Sequence, residues 1–283
     1  MSPRFFVGLA MAAYALGALV SFVSVGRQKR PSIALQLALA ATGVLAQTIG
    51  LSIHCAISET HYFTSSMEIL WLLAWSVGVN YVVILSAWRI AGLGALVLPL
   101  NVVILAASLL AQYPGAAPLS GVDRHPLYAP HVLMAFLGYG FFLTACAIGI
   151  LYLRAEWLLK HKVFGAVLRG MPSLERLDRT AARCIWAGFA FFTLALLQGG
   201  YLAHVFQVSS WFLHPKMLAA EITWLVFLVS MVGRLTGHVI GRLAAQTVLV
   251  GAVLVGLTIV LGHPLQPDAN GADPPEVQER ARP

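Results

Sequence analysis

Charged residues are scarce in this chain. Asp, Glu, Lys and Arg make up 10% of its 283 residues, against about 25% in an average soluble domain. That scarcity excludes a solvated globular surface, and it excludes disorder over most of the length. Cysteine is scarcer still. Cys55, Cys146 and Cys184 cannot staple a chain this long and form no Cys-x-x-Cys pair, which rules out a disulfide scaffold and argues against thiol–disulfide chemistry. Phosphate-loop, His-Glu-x-x-His, Gly-x-Ser-x-Gly and dinucleotide-binding patterns are missing as well, so a hydrolase or a nucleotide-driven pump has no support.

What is present is apolar: 59% of the residues are hydrophobic, and the mean hydropathy is +0.81. A membrane-crossing helix needs about 20 mostly apolar residues. Eight segments qualify, near 5–25, 32–53, 66–88, 91–111, 129–153, 182–206, 217–233 and 241–261. Period-2 alternation of the barrel kind is lacking, so the fold class is all-α, a polytopic membrane protein of eight helices. The third and fourth segments are joined only by Arg89–Gly92, which predicts either a tight helical hairpin or a tilted span.

The basic residues set an orientation. Thirteen of the 18 Lys and Arg fall in the odd-numbered connections, seven of them between Arg154 and Arg183. Both termini are therefore expected to be extracytoplasmic, and the net charge of +7 reports topology rather than a nucleic-acid partner. The first span reads as a retained helix, not a cleaved signal. Residues 1–264 read as one transmembrane domain. The tail 265–283, rich in Pro, Asp, Glu and Arg, reads as disordered. The connection 154–182 reads as an extension of the fifth helix, a break at Gly170-Met171-Pro172, and a new helix capped by Ser173. Its basic residues suit anionic lipid headgroups.

This topology sorts the nine histidines unevenly. His54, His61, His125, His131, His204, His214 and His263 fall toward the outer face, and only His161 and His238 toward the inner one. Imidazole is the commonest ligand for transition metals and for haem iron. It is also tolerated at headgroup level, so each histidine alone reads first as an interface residue. Glu68 and Glu221 are the acids within the spans. Two readings stay open for both: functional groups at membrane depth, or carboxylates solvated at the surface. Lys216 and Glu221 are spaced i, i+5, a poor separation for a helical pair. Asn80 and Asn101 read as hydrogen-bonding groups between helices.

From Met171 onward the sequence resembles the cytochrome c assembly family (CcsA, CcmC and HemX relatives). The resemblance rests on Met171-Pro-Ser-Leu-Glu-Arg-Leu-Asp-Arg179, on Gly188-Phe-Ala-Phe-Phe-Thr-Leu-Ala-Leu-Leu197 with Gly199, and on Trp211-Phe-Leu-His-Pro215-Lys216. It continues through Ile222-Thr-Trp-Leu-Val-Phe227 and then Arg234, Gly237, Gly241 and Arg242. It covers about 129–264, with a weaker match at Ser65-Ser66-Met67-Glu68 followed by Trp71 and Trp75. His131 and His263 stand where that family places outer haem-ligand histidines. The family's tryptophan-rich loop is degraded here. Trp211 and Pro215-Lys216 remain, whereas Gln207 and Leu213 occupy tryptophan positions and His214 the aspartate position. The pattern is similar to the shorter, YpjD-like branch.

The resemblance implies a bacterial inner-membrane protein that binds haem (haem b) and assists c-type cytochrome assembly. It would hold or hand over haem without being an enzyme itself. His131 and His263 would ligate the iron, with Trp211, His214, Pro215 and His204 beside it. The partners implied are membrane lipid, other maturation proteins and an apocytochrome. Two rivals remain open: a divalent metal-ion transporter or its accessory subunit, and a scaffold whose histidines do nothing.

Overall fold

In a computed structural model, the structure describes residues 3–27, 31–57, 65–111, 125–162, 171–206 and 211–261. The described residues are helical without strands. In chain order the helices are α1 (Pro3–Gly26), α2 (Ile33–Ile57), α3 (Ser66–Trp88), α4 (Gly94–Leu110), α5 (Tyr128–Lys160), α6 (Leu174–Val205), α7 (Pro215–Leu235) and α8 (Gly241–Leu261). Seven of them are long and apolar enough to cross a membrane. The exception is α4, whose 17 residues rise only about 26 Å. A 3-10 turn, Ala91–Leu93, runs directly into it. The expected hairpin between the third and fourth segments is built on Arg89, which closes α3 in the left-handed region (φ 51°) and donates its backbone N–H to the Leu85 carbonyl.

The helices alternate in direction. The end of the bundle where α1 starts and α8 stops is called here the terminal end, and the opposite one the arginine end. Two groups of four meet along α3 and α5. Side-chain hydrogen bonds close the interior of α1–α4. The Tyr14 hydroxyl donates to Gln47 Oε1 (2.7 Å), Tyr81 to Gln36 Oε1 (3.0 Å), and Gln36 Nε2 to Ser21 Oγ (2.5 Å). All five side chains are buried, and lipid offers no hydrogen bonds to replace these. A Cβ at Gly43 would overlap the Tyr14 ring, so α2 must carry glycine there.

Rings fill the interior of α5–α8. Phe142 stacks on Phe227 with centroids 3.6 Å apart, Phe141 stacks on Phe191, and Tyr139 packs against both Phe136 and Phe192. Between the groups, Asn80 Nδ2 donates to the Leu137 carbonyl (3.4 Å), as expected for an inter-helix amide. Asn101 differs: it is buried and its amide makes no hydrogen bond.

With 33 and 32 residues, α5 and α6 rise about 50 Å, well beyond the ~30 Å hydrocarbon core. Tyr152 packs against Gly241 at the start of α8, and Arg234 near the end of α7 pairs with Asp178 (3.0 Å). The surplus of α5 and α6 therefore lies at the arginine end, and α5 continues to Lys160 as an extension of the fifth span. Ser173 caps α6 by accepting the Arg176 N–H (3.3 Å). Gly170 of the expected break lies outside the described residues.

Candidate functional site

Five helices enclose a cavity of about 330 Å³ near the terminal end of the α5–α8 group. Its walls are mostly apolar and aromatic, among them Ile69 of α3, Phe136 and Tyr139 of α5, and Phe192 of α6. Three side chains bring chemistry to it: His131 of α5, and Lys216 and Glu221 of α7. Apolar walls with a few polar groups are the usual make-up of a small-molecule pocket.

His131 is fixed by a neighbouring helix. Its Nδ1 lies 2.8 Å from the Ala195 carbonyl of α6. A carbonyl oxygen only accepts, so Nδ1 carries the proton and Nε2 keeps the lone pair. Metal-bound histidines are oriented in this way, one nitrogen tied to a carbonyl and the other left to coordinate. The approach depends on Gly199, one turn beyond Ala195. A Cβ there would lie 2.8 Å from His131 Cε1 and 3.4 Å from Nδ1. Glycine thus leaves the space that the imidazole fills.

A second histidine is held beside this wall. His54, in the last turn of α2, donates from Nε2 to Glu68 Oε1 at 2.6 Å. Glu68 also closes the N-terminus of α3. Its Oε2 accepts the Ser65 N–H (3.1 Å), and its own N–H donates to Ser65 Oγ (3.2 Å), a reciprocal capping box. Glu68 is only 3% exposed. The reading of Glu68 as a solvated surface carboxylate is therefore overturned. It is buried, with both oxygens engaged, because burial of an acid demands partners for each. The next residue, Ile69, forms part of the cavity wall.

The other residues singled out in the sequence are scattered around the same end. His204, near the end of α6, is exposed and does not line the cavity. His214 and Pro215 are exposed as well, His214 at the N-cap position of α7 and Pro215 as its first residue. Trp211 opens a 3-10 turn, Trp211–Leu213, that leads into α7. His263 and His61 lie outside the described residues. Among the described residues, no group of three or more His, Cys, Asp or Glu is arranged to hold a metal ion, and Lys216 and Glu221 form no ion pair despite sharing the cavity. Sequence reading named Glu221 as an acid at membrane depth and Lys216 as part of the Trp211–Lys216 stretch, and joined the two only as a poorly spaced pair. It gave no sign that Ala195 and Gly199 hold His131, because that contact joins residues 64 positions apart.

Comparison with known proteins gives this end of the bundle a context. The family described as Cytochrome C assembly protein matches residues 63–262. A Cytochrome c biogenesis protein CcsA from Chlamydomonas reinhardtii is 28% identical over 207 residues, which are 69% of this chain and 56% of that protein. The match thus spans little more than half of that relative's length. The CcsA of Synechococcus sp. (strain CC9902) is 26% identical over 269 residues, 85% of this chain and 86% of that protein. Protein HemX of Bacillus subtilis (strain 168) is 28% identical over 130 residues, 46% and 47% of the two chains. The matched region starts just before α3 and ends just past α8, so it contains every residue of the cavity. This chain belongs to the cytochrome c assembly protein family.

Proposed function

We propose that this protein handles haem for c-type cytochrome assembly, taking the macrocycle at the terminal end with His131 Nε2 as one iron ligand. The observation that carries this reading is the His131 geometry: a proton fixed on Nδ1 by Ala195, a lone pair left on Nε2, and Gly199 clearing space for the ring. The residues fit the group. Haem is suited by an axial side-chain ligand such as imidazole, by apolar and aromatic surface, and by a cation near its carboxylates. The cavity offers His131, its Phe and Tyr side chains, and Lys216. Haem when bound would supply an iron centre; the protein would hold, orient and release it, catalysing nothing alone. His263 is the proposed second ligand, and Trp211, His214, Pro215 and His204 would flank the site.

On this reading the terminal end is extracytoplasmic and the protein sits in the bacterial inner membrane, working with other maturation proteins or an apocytochrome. The charge bias of the connections supports that sidedness. The test is an absorption spectrum of the purified full chain, oxidised and then reduced, beside a His131→Ala/His263→Ala double variant. A Soret band with sharp reduced α and β bands, lost in the variant, is the expected result. No haem in either protein after hemin is added would overturn the reading.

A further inference from the structure

The opposite end of the molecule carries a second pocket, of about 590 Å³, between the last residues of α3 and the first turns of α6. Arg176, Arg179, Thr180 and Arg183 line it from α6. Their spacing of i, i+3, i+4 and i+7 places them on one helix face. Trp88, the last residue of α3, and Ile90, two residues further on, line it as well. Three guanidinium groups on one face repel one another, so this arrangement costs stability unless negative charge is supplied.

Among the described residues, one of the three is paired with an acid. Arg179 pairs with Glu175 on the same helix. Arg176 Nη2 donates to the Trp88 carbonyl at 2.6 Å, and the Arg183 guanidinium lies over the Trp88 ring, 5.1 Å from its centroid. A neutral carbonyl and an aromatic face hold these two side chains in place without cancelling their charge. Much of the entropy cost of fixing two long side chains is thus met before any ligand arrives. The N-terminus of α6, capped by Ser173, adds positive potential at the same spot.

Forked planar donors match an oxyanion with several acceptor oxygens, and arginine is the residue most often used for phosphate. Depth narrows the source. Trp88 ends a helix of spanning length, where tryptophan marks the headgroup level of a membrane. We propose that this pocket is a phosphate-binding site, filled by the phosphate of an anionic phospholipid headgroup or of a soluble phosphorylated solute. Because α3 belongs to the first helix group and α6 to the second, a phosphate held here would tie the two groups together. The proposal does not rest on haem binding.

The test uses the full chain, purified in detergent and also placed in bilayers of phosphatidylcholine with or without phosphatidylglycerol. Thermal stability and lipid retention by native mass spectrometry are the readouts. The variant is Arg179→Gln/Arg183→Gln, which spares the Arg176–Trp88 bond. Its control is Arg154→Gln/Lys160→Gln, basic residues of the same end that do not line the pocket. Phosphatidylglycerol is expected to raise the melting temperature of the wild type and of the control, and to be retained by both. The pocket variant should bind it at least about tenfold more weakly, as loss of charge-assisted hydrogen bonds implies. An equal upward shift from inorganic phosphate in detergent, again lost in the pocket variant, would assign the site to a soluble phosphate. If the double variant does not fold, Arg183→Lys replaces it. It keeps the charge but loses the fork and the stacked plane, and is expected to weaken the same response. Equal responses from the pocket variant and its control, or no response to either probe, would overturn the proposal.

Discussion

The interior of α1–α4 is closed by hydrogen bonds between side chains, whereas that of α5–α8 is closed by stacked rings and then left open at one end. In the first group, Tyr14–Gln47 and Tyr81–Gln36–Ser21 leave little room for a ligand, and each polar atom in these pairs has a protein partner. In the second, Phe142 on Phe227 and Phe192 beside Tyr139 fill the centre, and above them the packing gives way to the cavity with His131, Lys216 and Glu221. A hydrogen-bonded core fixes the relative positions of its helices. Rings and methyls fill volume without that demand, so they can line a space meant for an apolar guest. The first group thus forms a rigid wall, to which α3 adds Ile69, and the second supplies the rest of the cavity lining.

The largest expected effect tests this division. His131→Ala removes the ring nitrogen offered to the cavity and should abolish the haem absorption signature, while Tyr14→Phe should leave it untouched. A spectrum of each variant checks both. Gly199→Ala comes next. It places a methyl group 2.8 Å from His131 Cε1, so the ring must rotate away from Ala195. Hemin affinity measured by titration should fall by about 10–100-fold, the range found for residues that orient a metal ligand.

Lys216→Ala should weaken hemin binding more modestly and leave the dimethyl ester of hemin unaffected, since the ester lacks the carboxylates that an ammonium would meet. Equal loss with both compounds would sink the role given to Lys216. Glu68→Gln should lower thermal stability by about 2 kcal/mol, because a buried charged partner of His54 and the cap of α3 are both weakened. The haem spectrum should persist, because His54 and Glu68 do not line the cavity. Tyr14→Phe gives the smallest change, about 1 kcal/mol for one hydrogen bond within a membrane bundle.

Much of this architecture was legible in the sequence, for a physical reason. A span must be apolar over a fixed length, so the ends of α3 and α8 agree with the hydropathy boundaries almost residue for residue. The Arg89–Gly92 hairpin was one of two readings that so short a connection allowed, and the left-handed Arg89 selects it over a tilted span. Glu68 was harder. One turn inside a span, its side chain could reach water or a partner, and only the position of His54 on α2 decides between them. His131 stood out by residue type and place, but the contacts that fix its ring did not. Ala195 and Gly199 are unremarkable small residues on a helix rich in them. Their value lies in facing His131 across α5 and α6, a long-range contact that no local pattern encodes. His263 stands two residues past the last described residue of α8.

The most direct measurement of the central claim is chemical rescue of His131→Gly in the purified full chain loaded with hemin. Removal of the imidazole should shift and weaken the Soret band, and added free imidazole should restore its position and the sharp reduced α band. A His131→Gly protein whose hemin spectrum matches the wild type, with no response to imidazole, would contradict the assignment of His131 as an iron ligand.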